Sequence, residues 1–265
     1  MNTPDKKKKV KKPLTVEQQI SRRNFISFAT FAVLAGGAYE GWRWLYKSPP
    51  EATGGITAGA RKPLRKALNK TELFFRRVFS DNHLVKTYPK SMAAKNVRVN
   101  SDIGMEAKDK FDPASWKLQV QKKGGEILQV TLQEIMALPK TEIIYDFKCV
   151  EGWDQISHWG GVRFIDFIKH FQLDDYTKMD YVGMETPDKA YYVGLDMPSA
   201  IHPQTLLAYE VNEKPLPLNH GAPLRLIIPV KYGIKNLKRI GTITFSNTRP
   251  RDYWAEQGYD YYSGL

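Results

Sequence analysis

One cysteine in 265 residues, Cys149, limits what this chain can fold into. No internal disulfide can form and no CxxC motif exists, so stability has to come from a packed core, and any chemistry at Cys149 is that of a single thiolate. The bland alternative is a small buried hydrophobe. Its setting points further: residues 142–150, EIIYDFKCV, have the β-branched and aromatic content of a strand, and the run breaks at once into Glu-Gly-Trp-Asp. Cys149 is therefore expected where a rigid strand gives way to a loop, a place where sites tend to be built.

The residues around it carry a family resemblance. Cys-Val-Glu-Gly-Trp followed by Trp-Gly-Gly-Val (residues 149–153 and 159–162) resembles the metal-ligating segment of the sulfite-oxidase fold, most closely its branch related to the periplasmic methionine sulfoxide reductase catalytic subunit. The resemblance implies that Cys149 ligates molybdenum beside the dithiolene sulfurs of a molybdopterin, with Glu151 and Trp153 at the catalytic centre. A soft thiolate suits such a metal and leaves positions open for oxo groups and substrate.

A second motif lies at residues 219–240, NHGAPLRLIIPVKYGIKNLKRI. From the residues alone, His220 and Arg225 flank a tight Gly-Ala-Pro turn, and Lys231, Lys235 and Lys238 follow within one loop. Arg forks, lysines and backbone N–H groups around glycine suit a phosphate monoester; the alternative is a solvated basic surface. The stretch is similar to the family's pterin-binding signature, which implies that His220, Arg225, Asn236, Leu237 and Lys238 hold the cofactor. By the same resemblance Thr186, Asn100, Ile103 and Gly104 contact it. The similarity runs from about residue 96 to the C-terminus, including 248–250 and Trp254.

The net charge is +12, of which +7 lies in residues 1–48. With no nucleic-acid motif beside the lysines, nucleic acid is not expected as a partner. Residues 1–20 are lysine-rich, Ser-Arg-Arg-Asn-Phe occupies 21–25, and 15 uncharged residues run over 25–39. That is the pattern of a twin-arginine export signal, shorter than the roughly 18 residues of a spanning helix. An extension to Tyr46 flanked by Trp42 and Trp44 would serve as a retained anchor. Either way the chain is expected on the periplasmic side of a bacterial inner membrane, soluble or N-terminally anchored.

The expected organisation is a signal or anchor over 1–46, a linker and basic helical segment over 47–95, and a molybdopterin-binding domain over 96–265. In the helical segment Leu73, Phe74, Phe75, Val78 and Phe79 are expected to form one apolar face, as core or docking surface rather than a cofactor box. Short strands, few helices and many turn residues indicate an α+β fold with mixed or antiparallel sheets. The resemblance implies molybdopterin-dependent oxygen-atom transfer on a small sulfoxide or similar oxo compound. Electrons would come from a separate partner such as a membrane haem or quinone-linked protein. Two rivals stand beside it: a cofactor-free envelope scaffold, and a Cys–His hydrolase pairing Cys149 with His158 or His220.

Overall fold

The computed structural model describes residues 14–49, 61–79, 83–105 and 111–264. The lysine-rich start and most of the 47–62 linker lie outside the described residues. The chain divides into two compact units, residues 1–49 with 61–63, and the remainder.

The first unit is essentially one helix, α1 (Val16–Lys47), opened by a capping box between Thr15 and Gln18. None of its residues is buried. Phe25, Phe28, Phe31, Trp42 and Trp44 are all exposed. Among the described residues no helix is long and apolar enough to cross a membrane.

Helix α2 (Lys62–Phe79), which belongs to the second unit from Leu64 onward, precedes β1 (Leu118–Gln121), β2 (Ile127–Val130), α3 (Leu132–Met136), β3 (Thr141–Lys148), β4 (Asp154–Arg163), α4 (Phe164–His170), β5 (Tyr181–Glu185) and β6 (Tyr192–Asp196). There follow α5 (Met197–Ala200), β7 (Leu206–Val211), β8 (Lys214–Pro215), β9 (Arg225–Ile227), β10 (Thr242–Ser246) and α6 (Tyr253–Glu256). The fold is α+β, as expected.

One sheet has the order β2-β1-β10-β5-β6 and the other β3-β4-β7-β8, with β9 also on β7. Every pairing is antiparallel except β1 with β10. The larger core includes Leu118, Val120, Phe164, Phe167, Val182, Leu226 and Ile243; a smaller one, built on Ile143, Tyr145, Phe147, Trp159 and Ile227, lies beneath the β3–β4 hairpin.

Residues 85–95, read in sequence with the linking segment, pack on this unit. Tyr88 N–H donates to Ile144 O at 2.9 Å and Ala94 N–H to Ile156 O at 2.9 Å.

The apolar face expected for α2 does not point inward as a group. Leu73 is buried with Tyr181, Tyr261 and Tyr262, whereas Phe74, Phe75 and Val78 are exposed. The Phe79 side chain lies outside the described residues.

Candidate active site

Strand β3 alternates strictly, with Ile143, Tyr145 and Phe147 buried between half-exposed neighbours. Cys149 continues the same phase one step past the strand and is buried as well, so the period of two that fills the small core also carries the thiol inward. The hairpin closes with Cys149 N–H donating to Trp153 O at 2.9 Å and Gly152 N–H to Cys149 O at 3.1 Å. Burial pushes the Cys149 thiol up, opposed in part by the backbone at Glu151 and Val150.

Glu151 and Trp153 form the rim. Trp153 Nε1 donates to Glu151 Oε2 at 2.7 Å, and the indole stacks on Phe147 with centroids 5.9 Å apart. The guanidinium of Arg98 lies 4.6 Å from the centre of the same indole. A narrow cleft beside them is lined by Asn100, Phe147, Trp153, Ser157, Trp159 and Arg225.

Arg225 opens β9 and is 1% exposed. Its Nη1 donates to His220 O at 3.1 Å and its Nη2 to Asn236 O at 3.4 Å, the ring of Trp159 lies 4.5 Å away, and Nε has no partner. Carbonyls and a π face surround this cation, and no carboxylate among the described residues is paired with it. Burial lowers its pKa to about 10, with Tyr145 opposing. A buried charge so poorly compensated is costly unless an anion completes the site.

His220 lies in the same turn with Nδ1 unpartnered. Burial, then Arg225 and Lys238, hold it down to about 4, so it is a neutral imidazole at pH 7. Lys238 Nζ donates to Ser101 O at 2.6 Å and to Asn100 O. That clasp draws the segment carrying Asn100, Ile103 and Gly104 to the basic turn. Gly104 (φ +74°) is in contact with Thr186 and Tyr191: a Cβ there would stand 2.8 Å from Thr186 Cγ2. Ile103 is half-buried against the larger core.

Asn236 reaches the site through its backbone O, which accepts from Arg225, whereas Leu237 O accepts from Leu226 N–H of β9 at 2.8 Å. The Asn236 side chain is used inside its loop, accepting from Ile228 N–H at 2.8 Å and donating to Tyr232 O at 3.0 Å, while Leu237 is core. Lys231 and Lys235, grouped with Lys238 by sequence spacing, are taken up elsewhere. Lys231 pairs with Asp196 at 2.8 Å and Lys235 with Asp252, all four side chains nearly inaccessible. These two lysines pin the loop, and only Lys238 of the three faces the segment at 100–101.

Sequence reasoning passed over Arg239. It is buried beside the His220 turn, with Nε donating to Ala222 O at 3.2 Å, Phe111 4.0 Å from its guanidinium carbon and Nη2 without a partner. Its adjacency to Lys238 was the available signal.

His158 is no partner for the thiol. It pairs across the hairpin with Ile144, of the opposite phase to Cys149, and its Nε2 lies 3.3 Å from Glu142. Among the described residues no group of three or more His, Cys, Asp or Glu is arranged to hold a metal. The donor set is thus one soft thiol, in a site whose basic groups are the buried Arg225 and Lys238, which fits a metal carried on an anionic organic cofactor and not a cage of protein ligands.

Residues 105–254 match the family described as the oxidoreductase molybdopterin binding domain. A chain of Azospira oryzae carrying the provisional name of protein-methionine-sulfoxide reductase subunit YedZ1 is 36% identical over 187 residues, 71% of this chain and 70% of that one. The protein-methionine-sulfoxide reductase catalytic subunit MsrP of Campylobacter jejuni is 31% identical over 173 residues, 58% of each chain. MsrP of Xanthomonas campestris is 33% identical over 170 residues, 56% of this chain and 53% of that one. The chain thus spans little more than half the length of the two MsrP relatives.

Proposed function

The chain belongs to the oxidoreductase molybdopterin binding domain family, and from that premise we propose that it reduces a small sulfoxide or similar oxo compound with electrons from a separate partner. The observation that carries the reading is Arg225, a fully buried cation with a free Nε and, among the described residues, no acidic partner, set against Trp159 of the small core that the thiol-bearing strand also fills. A molybdenum–molybdopterin group bound here would supply two-electron redox chemistry and a site for oxygen. Cys149 is the residue to ligate the metal. Arg225, His220 and Lys238 would hold the anionic part, with Thr186, Gly104, Ile103, Asn100 and the backbone of Asn236 and Leu237 around it.

The chain's own residues account for the rest. Reduction of a sulfoxide consumes two electrons and two protons and releases the sulfide and water. Glu151, exposed and held by Trp153 Nε1, is placed to pass protons in from solvent. The rim carries one carboxylate and one guanidinium around an indole, which suits a neutral dipolar substrate better than an anion. MsrP-named relatives support the substrate class. A membrane haem or quinone-linked protein is the kind of donor proposed. Export by the twin-arginine route to the periplasmic side is proposed from Arg22 and Arg23 and the apolar run that follows them.

The test compares natively produced wild type, Cys149→Ser and Arg225→Met for molybdenum content and for sulfoxide-dependent oxidation of a reduced viologen. Wild type should contain molybdenum near one per chain, Cys149→Ser should stay folded without turnover, and Arg225→Met should lose cofactor. A wild-type protein without molybdenum would instead favour a cofactor-free scaffold, and full turnover by Cys149→Ser would sink the ligand assignment.

A further inference from the structure

Helix α2 is amphipathic, but it meets its own domain with the wrong side. At about 100° per residue, Leu64, Ala67, Leu68, Phe74, Phe75 and Val78 share one arc, with Thr71 at its middle. All seven are exposed, the five large ones by 46–61%. The opposite arc carries Arg65, Asn69 and Glu72, half-buried, and Leu73, 5% exposed among Tyr181, Tyr261 and Tyr262. Arg77 fixes the C-terminal end by pairing with Asp180 at 2.9 Å. The domain therefore holds α2 by its polar side and turns the greasy side outward.

An outward apolar stripe of this length needs an occupant. The charges say which one. The 18 residues contain Lys62, Arg65, Lys66, Lys70, Arg76 and Arg77 against Glu72 alone. Lys66, Lys70 and Arg77 lie on the flank between the packed and apolar arcs. Leucine and phenylalanine on one face with cations beside them, in a helix of low overall hydrophobicity, are the attributes of a helix lying in the plane of a bilayer surface. A protein groove would need acidic rims to match the same flank.

We propose that α2 is an interfacial helix that lays its 64–78 apolar face on a bilayer surface carrying anionic headgroups. This inference does not rest on the oxidoreductase reading. It adds a contact held rigidly to the domain by Leu73 and Arg77, whatever becomes of α1. The helix would lie along the headgroup plane, with Lys66 and Lys70 at phosphate level.

The experiment is amide hydrogen exchange on the full chain with vesicles of phosphatidylcholine alone or with phosphatidylglycerol added, reading residues 64–79 separately from α1. Exchange in 64–79 should slow several-fold with the anionic vesicles and less with the neutral ones. Leu68→Glu with Phe75→Glu should abolish that protection, and Lys66→Glu with Lys70→Glu should reduce it on anionic vesicles alone. An unchanged near-ultraviolet thermal transition checks that the variants remain folded. Exchange unaffected by either vesicle overturns the proposal. So does protection that rises with protein concentration without lipid, which would mean a second copy is the occupant; equal protection by both vesicle types overturns the anionic assignment.

Discussion

Gly233 stands so close to Cys149 that a Cβ added to it would lie 3.5 Å from the sulfur and 2.9 Å from the ring of Phe147. The loop between β9 and β10 is thereby packed directly on the end of β3, and thiol and basic turn are held in one piece.

Gly233→Ala is accordingly expected to push on Phe147, and through it on the end of β3 that carries the thiol. Overpacking of this kind costs about 1–3 kcal/mol. The unfolding free energy from urea titration should fall by that amount and the molybdenum:protein ratio should fall with it. Gly41→Ala, where a Cβ meets nothing within 4 Å, should change neither.

Asp252 is the partner of the inaccessible Lys235 and also accepts from Gly194 N–H at 3.0 Å. Asp252→Asn leaves a buried ammonium uncompensated, so unfolding free energy should drop by about 3–5 kcal/mol. The double variant Lys235→Met with Asp252→Leu should lose less than the single one. A double variant as unstable as the sum of its parts would show the pair to be energetically uncoupled.

His220 has a folded pKa near 4, below its ordinary value of 6.5. Between those pH values the unfolded chain binds a proton that the native one refuses. Stability should therefore fall as pH drops from about 6.5 to 4, with a slope approaching roughly 1.4 kcal/mol per pH unit from this residue. His220→Gln removes that contribution, so the wild type should lose more stability over the window than the variant, measured by denaturant titration at pH 6.5, 5.5 and 4.5. Parallel pH profiles would contradict the burial of a neutral imidazole.

Replacing Arg22 and Arg23 by Lys keeps the charge and removes the recognised group. If export uses the twin-arginine route, the variant should accumulate in the cytoplasm as folded, molybdenum-containing protein. Fractionation with molybdenum measured in each fraction decides; unimpaired delivery to the periplasmic side would mean that the arginines are not read as a pair.

The parts of the site that are readable along the chain are those fixed by local periodicity. The odd phase of Ile143, Tyr145 and Phe147 delivers Cys149 inward, and Thr131 with Glu134 three residues on forms the capping box that starts α3. Direction in loops is not readable in that way. Lys231, Lys235 and Lys238 have the spacing of one cluster, yet two are claimed by Asp196 and Asp252, 35 and 17 residues away. The outward face of α2 was hidden for a related reason, since amphipathicity reports that a helix has two sides and not which side the domain takes. Beyond its adjacency to Lys238, nothing local marked Arg239, since it lies against Phe111, more than a hundred residues earlier.

The parallel pairing of β1 with β10 has a bearing on biosynthesis. β10 is inserted between β1 and β5, so the middle of this sheet is made after every other strand in it. Until residues 242–246 emerge, β1–β2 and β5–β6 are separate hairpins with open edges, and chains that stop short of them cannot join the two. This sheet cannot exist until residues 242–246 have been made, and the segment bearing His220, Arg225 and Lys238 comes just ahead of the strand that completes it. Maturation is thus tied to the arrival of β10, and a product ending before it would be left as unjoined hairpins open to proteolysis and aggregation.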